Sequence, residues 1–125
     1  MSTRIPAKVR AAVLERDNHA CCRCGVSLEG SYYSLHHRRR KGAGGSKVLD
    51  TMANLVTLCG TGTTGCHGYI EEHRAACYTL GWLVPNGVTP EEWPVLRHGT
   101  WQQPAEAWVV VAPHPRQVEL GGTAA

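Results

Sequence analysis

Phenylalanine is absent from this 125-residue chain, and aromatic side chains make up only 6% of it, so the core is expected to be thin. Its 14 glycines and 7 prolines shorten the regular elements further. No apolar run is long enough to span a bilayer, which excludes a membrane-spanning helix. The opening MSTRIPAKVRAAVLERD is amphipathic and charged where a secretory leader would carry an apolar stretch, which predicts a cytoplasmic, reducing setting. Net charge is only +3, so the chain as a whole is no polycation. A domain this small with so thin a core is a natural host for a staple. Six cysteines in a reducing compartment point to a metal rather than to disulfides.

The elements are short. Val9, Val13 and Leu14 recur at helical spacing, and Pro6 suits a first turn, so a helix is predicted over 6–17. ACCRCG reads as a knuckle, SYYSLH at 31–36 as a strand, KGAGGSKVLD as a loop and NLVTLC at 54–59 as a second strand. GTGTTG is a turn, after which CHGYIEEHRAACYTLGW reads as one helix stopping near Gly81. From residue 85 onward proline and tryptophan become frequent. Strands at 94–97 and 107–112 are expected to pair as a C-terminal hairpin packed on the body through Trp93, Trp101 or Trp108, with a frayed GGTAA end. The fold class is thus small α+β, with residues 1–84 as the main domain and 85–125 as an extension packed on it.

Cys21 and Cys24 have the C-x2-C spacing of a zinc knuckle, and Cys59 and Cys66 form a second pair inside CGTGTTGC. Glycines let that longer loop curl back, so the spacing predicts one closed tetrahedral zinc site of four thiolates, structural rather than catalytic. Cys22 and Cys77 are left over as packing residues. Between the pairs lies SLHHRRRKGAGG, where Arg38, Arg39, Arg40 and Lys41 concentrate positive charge beside two histidines. His19, His98 and His114 have no partner at ligand spacing and read as surface or structural.

The order C-x2-C, a strand ending in His36-His37, a loop, Asn54, then C-x6-C with His67 directly after Cys66 resembles the HNH endonucleases. The likeness covers about residues 9–74 and is nearest in character to small bacteriophage HNH proteins. It implies a ββα-metal core of two strands and a helix around one divalent ion. It also implies roles: His36 as a metal ligand, His37 as the general base that activates water, Asn54 as the residue bracing the loop and the base, and His67 as a second metal ligand. The activity implied is metal-dependent hydrolysis of phosphodiester bonds in double-stranded DNA, in the host cytoplasm if the chain is phage-encoded. A part in genome processing and packaging beside the terminase is implied with it.

Chemistry agrees with these roles. Histidine takes a proton near neutral pH without tuning, and a bound divalent ion stabilises charge on a leaving 3′ oxygen. Adjacent strand residues point to opposite faces, so the strand must end or kink for His36 and His37 to share a site. A third ligand is open between Glu71, which shares a helix face with His67, and His73, about 120° away around the helix. Two imidazoles favour Mn2+, Ni2+, Co2+ or Zn2+ over Mg2+. Arg38 to Lys41 would hold DNA phosphates without reading bases. The competing expectation is a non-catalytic, zinc-stabilised DNA-binding module.

Overall fold

The computed structural model describes residues 4–40 and 49–121. Among them are four α-helices and two antiparallel sheets, a small α+β fold. Pro6 enters helix α1 (Ala7–Arg16) with φ −55°, and the helix buries Val13 against Ile5 and Leu55. Asn18 and His19 then take positive φ, which asparagine and histidine tolerate better than most residues, and turn the chain sharply into the cysteine knuckle.

Strand β1 (Tyr33–His37) pairs antiparallel with β2 (Leu55–Cys59), His36 opposite Val56 and His37 opposite Leu55. Alternation along β2 divides its neighbours. Leu55 packs towards α1, whereas Val56 and Leu58 join the main core with Ile70, Cys77 and Trp82. Helix α2 (Gly65–Glu72) follows directly, so strand, strand and helix form one unit with α1 behind it.

The single helix expected after Cys66 is broken. Helix α2 ends and α3 (Arg74–Leu80) begins at His73, whose backbone leaves helical geometry at φ −121° and ψ 45°. Its imidazole folds back to stack on Tyr69 at 4.1 Å and bonds the Tyr69 carbonyl at 2.9 Å, holding the bend. Gly81 stops α3 at φ +89°, where an added Cβ would lie 2.0 Å from the Pro94 carbonyl oxygen, so only glycine fits.

The C-terminal segment also departs from expectation. Its two expected strands do not pair with each other: β3 (Val95–Arg97), β4 (Thr100–Pro104) and β5 (Trp108–Val110) form a meander with β4 in the middle. TWQQP lacks the apolar alternation that marks a strand, and its pairing is supplied by its two neighbours. A short helix α4 (Pro115–Glu119), capped reciprocally by His114 and Gln117, follows, and residues 122–125 of the expected frayed end lie outside the described residues. The segment is tied to the body at several points. Trp108 Nε1 donates to Asp17 at 2.9 Å, Arg97 Nε to the Cys22 carbonyl at 3.3 Å, and from the body Arg16 Nη1 donates to the Ala105 carbonyl at 3.1 Å. No described helix is long and apolar enough to cross a membrane.

Candidate functional site

The four expected thiols meet. Cys21 and Cys24 come from the turn after α1, Cys59 from the end of β2 and Cys66 from the first turn of α2; their sulfurs all lie within 4.8 Å of one another. The loop between Cys59 and Cys66 closes on itself so tightly that a Cβ on Gly60 would sit 2.1 Å from the Thr64 carbonyl oxygen. Cys24 and Cys59 sulfurs are 3.7 Å apart. A tetrahedral zinc with bonds of about 2.3 Å has an S–S edge of about 3.8 Å, so the cluster fits such an ion as it stands. The Cys66 amide and the Arg23 guanidinium each approach a cluster sulfur at 3.4 Å, relieving negative charge. Burial opposes ionisation of Cys21, but hydrogen bonds from the backbone at Cys24, Cys59 and Arg23 bring its pKa down to about 7. Cys22 differs: burial, with the charge of Asp17, pushes its thiol up to about 12, and it faces the Thr57 hydroxyl at 3.6 Å. Cys77 is buried in the core. The cluster could hold a structural metal ion, with Cys22 and Cys77 outside it.

A second cluster joins His36, His67 and Glu71, again with ligand atoms within 4.8 Å of one another. Hydrogen bonding decides which ring nitrogens can serve. His36 is buried and its Nε2 lies 2.8 Å from the Trp82 carbonyl, which can only accept, so Nε2 carries the proton and Nδ1 the lone pair. Burial drives its pKa down to about 3, keeping the ring neutral. The Ser34 hydroxyl donates to the Gly60 carbonyl and so accepts from His67 Nδ1 at 2.9 Å. His67 Nε2 is then the unprotonated nitrogen, 3.7 Å from Glu71 Oε2. Burial lowers the His67 pKa against the opposing charge of Glu71. Two neutral imidazoles, each oriented by a second hydrogen bond, and one carboxylate form a donor set that fits a divalent transition ion. His73, the other candidate for third ligand, is not brought to this cluster: the bend at its own position leaves it exposed and bonded to Tyr69.

His37 ends β1, and both histidines line one cleft of about 300 Å3 together with His67, Glu71, Arg40 and Arg74. His37 Nε2 lies 2.7 Å from Asp50 Oδ1. Asn54 is fully buried where the loop begins and ends: it accepts from the Arg39 amide at 2.7 Å and donates to the Arg39 and Leu49 carbonyls at 3.1 and 2.8 Å.

The basic run divides. Arg38 is 1% exposed, and its guanidinium donates to the carbonyls of Gly81, Ala53, Pro90 and Trp93. Burial, with Arg16 nearby, draws its pKa down to about 9, so it remains a cation at neutral pH. This corrects the expectation that Arg38 meets DNA: it is two residues from buried His36, on the same inward side of the strand direction, and its donors are spent on the protein. Arg39 is half-buried and Arg40 exposed, while Lys41 lies outside the described residues.

Sequence reasoning missed Arg74 and Asp50. Arg74 had a signal, since it lies seven residues after His67 and so on nearly the same helical face; it bonds Glu71 at 2.7 Å. Asp50 had none, because a loop carboxylate has no period to place it. A scan of protein-family models, a search of curated proteins and a search of solved structures each give no match.

Proposed function

We propose that this chain is a metal-dependent DNA endonuclease of the HNH type, with β1, β2 and α2 as its ββα-metal core. The observation that carries the reading is the convergence of His36, His37, His67 and Glu71, drawn from two separate segments, in one cleft flanked by Arg40 and Arg74. A structural role would not need two imidazoles with their unprotonated nitrogens and a carboxylate at ligand spacing.

His36 through Nδ1, His67 through Nε2 and Glu71 through its carboxylate would hold a divalent ion, which when bound would supply charge stabilisation at the scissile phosphate and the leaving 3′ oxygen. His37 receives the proton of the attacking water. Asn54 closes the loop after β1 and so holds His37 in position. Arg40 and Arg74, with Arg39 at the edge, grip backbone phosphates, a contact that orients DNA without reading its sequence. The four-thiolate site, carrying zinc, fixes the end of α1 against β2 and the start of α2, placing His67 one residue beyond a ligand cysteine. Two imidazole donors favour Mn2+, Ni2+, Co2+ or Zn2+ over Mg2+. A place in phage genome processing beside the terminase rests on the resemblance alone.

The reading is tested with supercoiled plasmid and purified, zinc-loaded protein in Mg2+, Mn2+, Ni2+ or EDTA. Relaxation in Mn2+ or Ni2+, weaker in Mg2+ and abolished by EDTA, is expected. Plasmid that stays supercoiled in every metal while shifting in a gel would replace the enzyme by a zinc-stabilised DNA-binding module. A strict Mg2+ requirement would remove His36 from the ligand set.

A further inference from the structure

We propose that Asp50 is the positioning residue for His37, fixing the ring's tautomer and aim. The consequence for cleavage rests on the nuclease reading above; the pair itself can be tested without any reaction.

A carboxylate accepts and cannot donate. With Asp50 Oδ1 2.7 Å from His37 Nε2, the ring proton sits on Nε2 and Nδ1 is left as the basic nitrogen of a ring that lines the cleft. The Asp50 side chain is 6% exposed and that of His37 23%, so water competes little for the bond while the ring still reaches the cleft. A chance surface ion pair would be wetter and mobile.

Two different chain segments bring the pair together, and Asn54 locks both. It bonds Arg39, two residues beyond His37, and the carbonyl of Leu49, immediately before Asp50. Strand register fixes His37 itself opposite Leu55. The asparagine therefore fixes the two backbones, and the carboxylate fixes the ring. His36 and His67 repeat the pattern, each with one nitrogen held by an acceptor and the other turned to the cluster. Of the three, His37 is the one whose hydrogen-bonded nitrogen is held by a carboxylate rather than by a carbonyl or hydroxyl oxygen, the arrangement suited to a ring that gains positive charge during its work.

Two readouts test the proposal on the full chain. Long-range 15N–1H correlation spectra of the zinc-loaded protein, with no metal added to the second cluster, report the tautomer, His37 being assigned by its loss in His37→Ala. The wild type should show Nε2–H, and Asp50→Ala a mixture of tautomers. Asp50→Asn keeps an accepting oxygen without the charge and should retain most of the Nε2–H form; it also serves if Asp50→Ala folds poorly. An unchanged tautomer in Asp50→Ala, or Nδ1–H in the wild type, overturns the proposal.

The second readout is single-turnover DNA cleavage in Mn2+ as a double-mutant cycle. Asp50→Ala should slow cleavage on the order of 10- to 100-fold with little change in DNA affinity, and should cost nothing further in a His37→Ala background. A full additional loss there would make Asp50 merely structural, and wild-type rates in Asp50→Ala would make it irrelevant to the reaction. Should the wild type cut nothing, the nuclease reading fails, and the tautomer alone still decides for or against Asp50.

Discussion

Arg38 and Arg40 stand two apart in one basic run, and truncating each to alanine is expected to do opposite things. Arg38→Ala removes the donors of four buried carbonyls, those of Gly81, Ala53, Pro90 and Trp93, and leaves a cavity. Each buried carbonyl stripped of its partner costs roughly 1–3 kcal/mol, and four lose theirs together. A loss of about 4 kcal/mol is therefore expected, a large part of the 5–15 kcal/mol (roughly) that holds a domain of this size. In urea this moves the unfolding midpoint down by about 2 M. Arg40 is exposed, so Arg40→Ala should stay within about 0.5 kcal/mol of wild type. On the proposed function it instead contacts DNA, so loss of one phosphate contact should weaken binding and reduce the slope of log affinity against log salt by about 1. Urea unfolding and salt-dependent gel shifts of both variants measure this. If Arg38→Ala unfolds like wild type and instead flattens the salt dependence, the assignment of the two arginines is wrong.

Three further outcomes are expected. Burial would raise the pKa of Asp17, but the hydrogen bond and charge of Arg16, with bonds from Cys22 and Trp108, hold it below its ordinary 3.8, so its stabilisation is complete above about pH 4 and is lost as pH falls through the lower folded value. The stability gap between wild type and Asp17→Asn should accordingly be constant from pH 7 to 5 and shrink towards pH 3; a gap that stays flat over that whole range refutes it. With zinc as the metal proposed for the four-cysteine cluster, Cys24→Ser should lose it and Cys22→Ser should keep it, measured as zinc per chain after gel filtration with a mild chelator; equal retention would remove Cys24 from the ligand set. Glu71→Gln should raise the Mn2+ concentration needed for cleavage by about tenfold or more, whereas His73→Ala should leave it near wild type, and the reverse order would restore His73 as the ligand.

What the sequence made legible was local or chemically narrow. Val9, Val13 and Leu14 with Pro6 marked α1, alternation marked β1, a short apolar run marked β2, and two cysteine pairs, the second enclosing glycines, marked the four-cysteine cluster. His67 and Glu71 could be paired because four residues return a helix to the same face. The rest depended on burial that residue type does not encode. Arg38 is chemically identical to Arg39 and Arg40, and only the carbonyls converging from residues 53–93 make it a core residue. Strand β4 carries two glutamines and is held by pairing on both sides, while the break between α2 and α3 comes from a histidine that engages the turn before it. Asp50 acquires meaning only because Asn54 closes the loop and sets a carboxylate against His37.

The most direct measurement is single-turnover cleavage of a short DNA duplex in Mn2+ by wild type and His37→Ala, matched for circular dichroism and zinc content. The account predicts strand scission by the wild type and a loss of at least about 100-fold in the variant with metal affinity retained. Equal rates for the two folded proteins, or no scission by either, would contradict it.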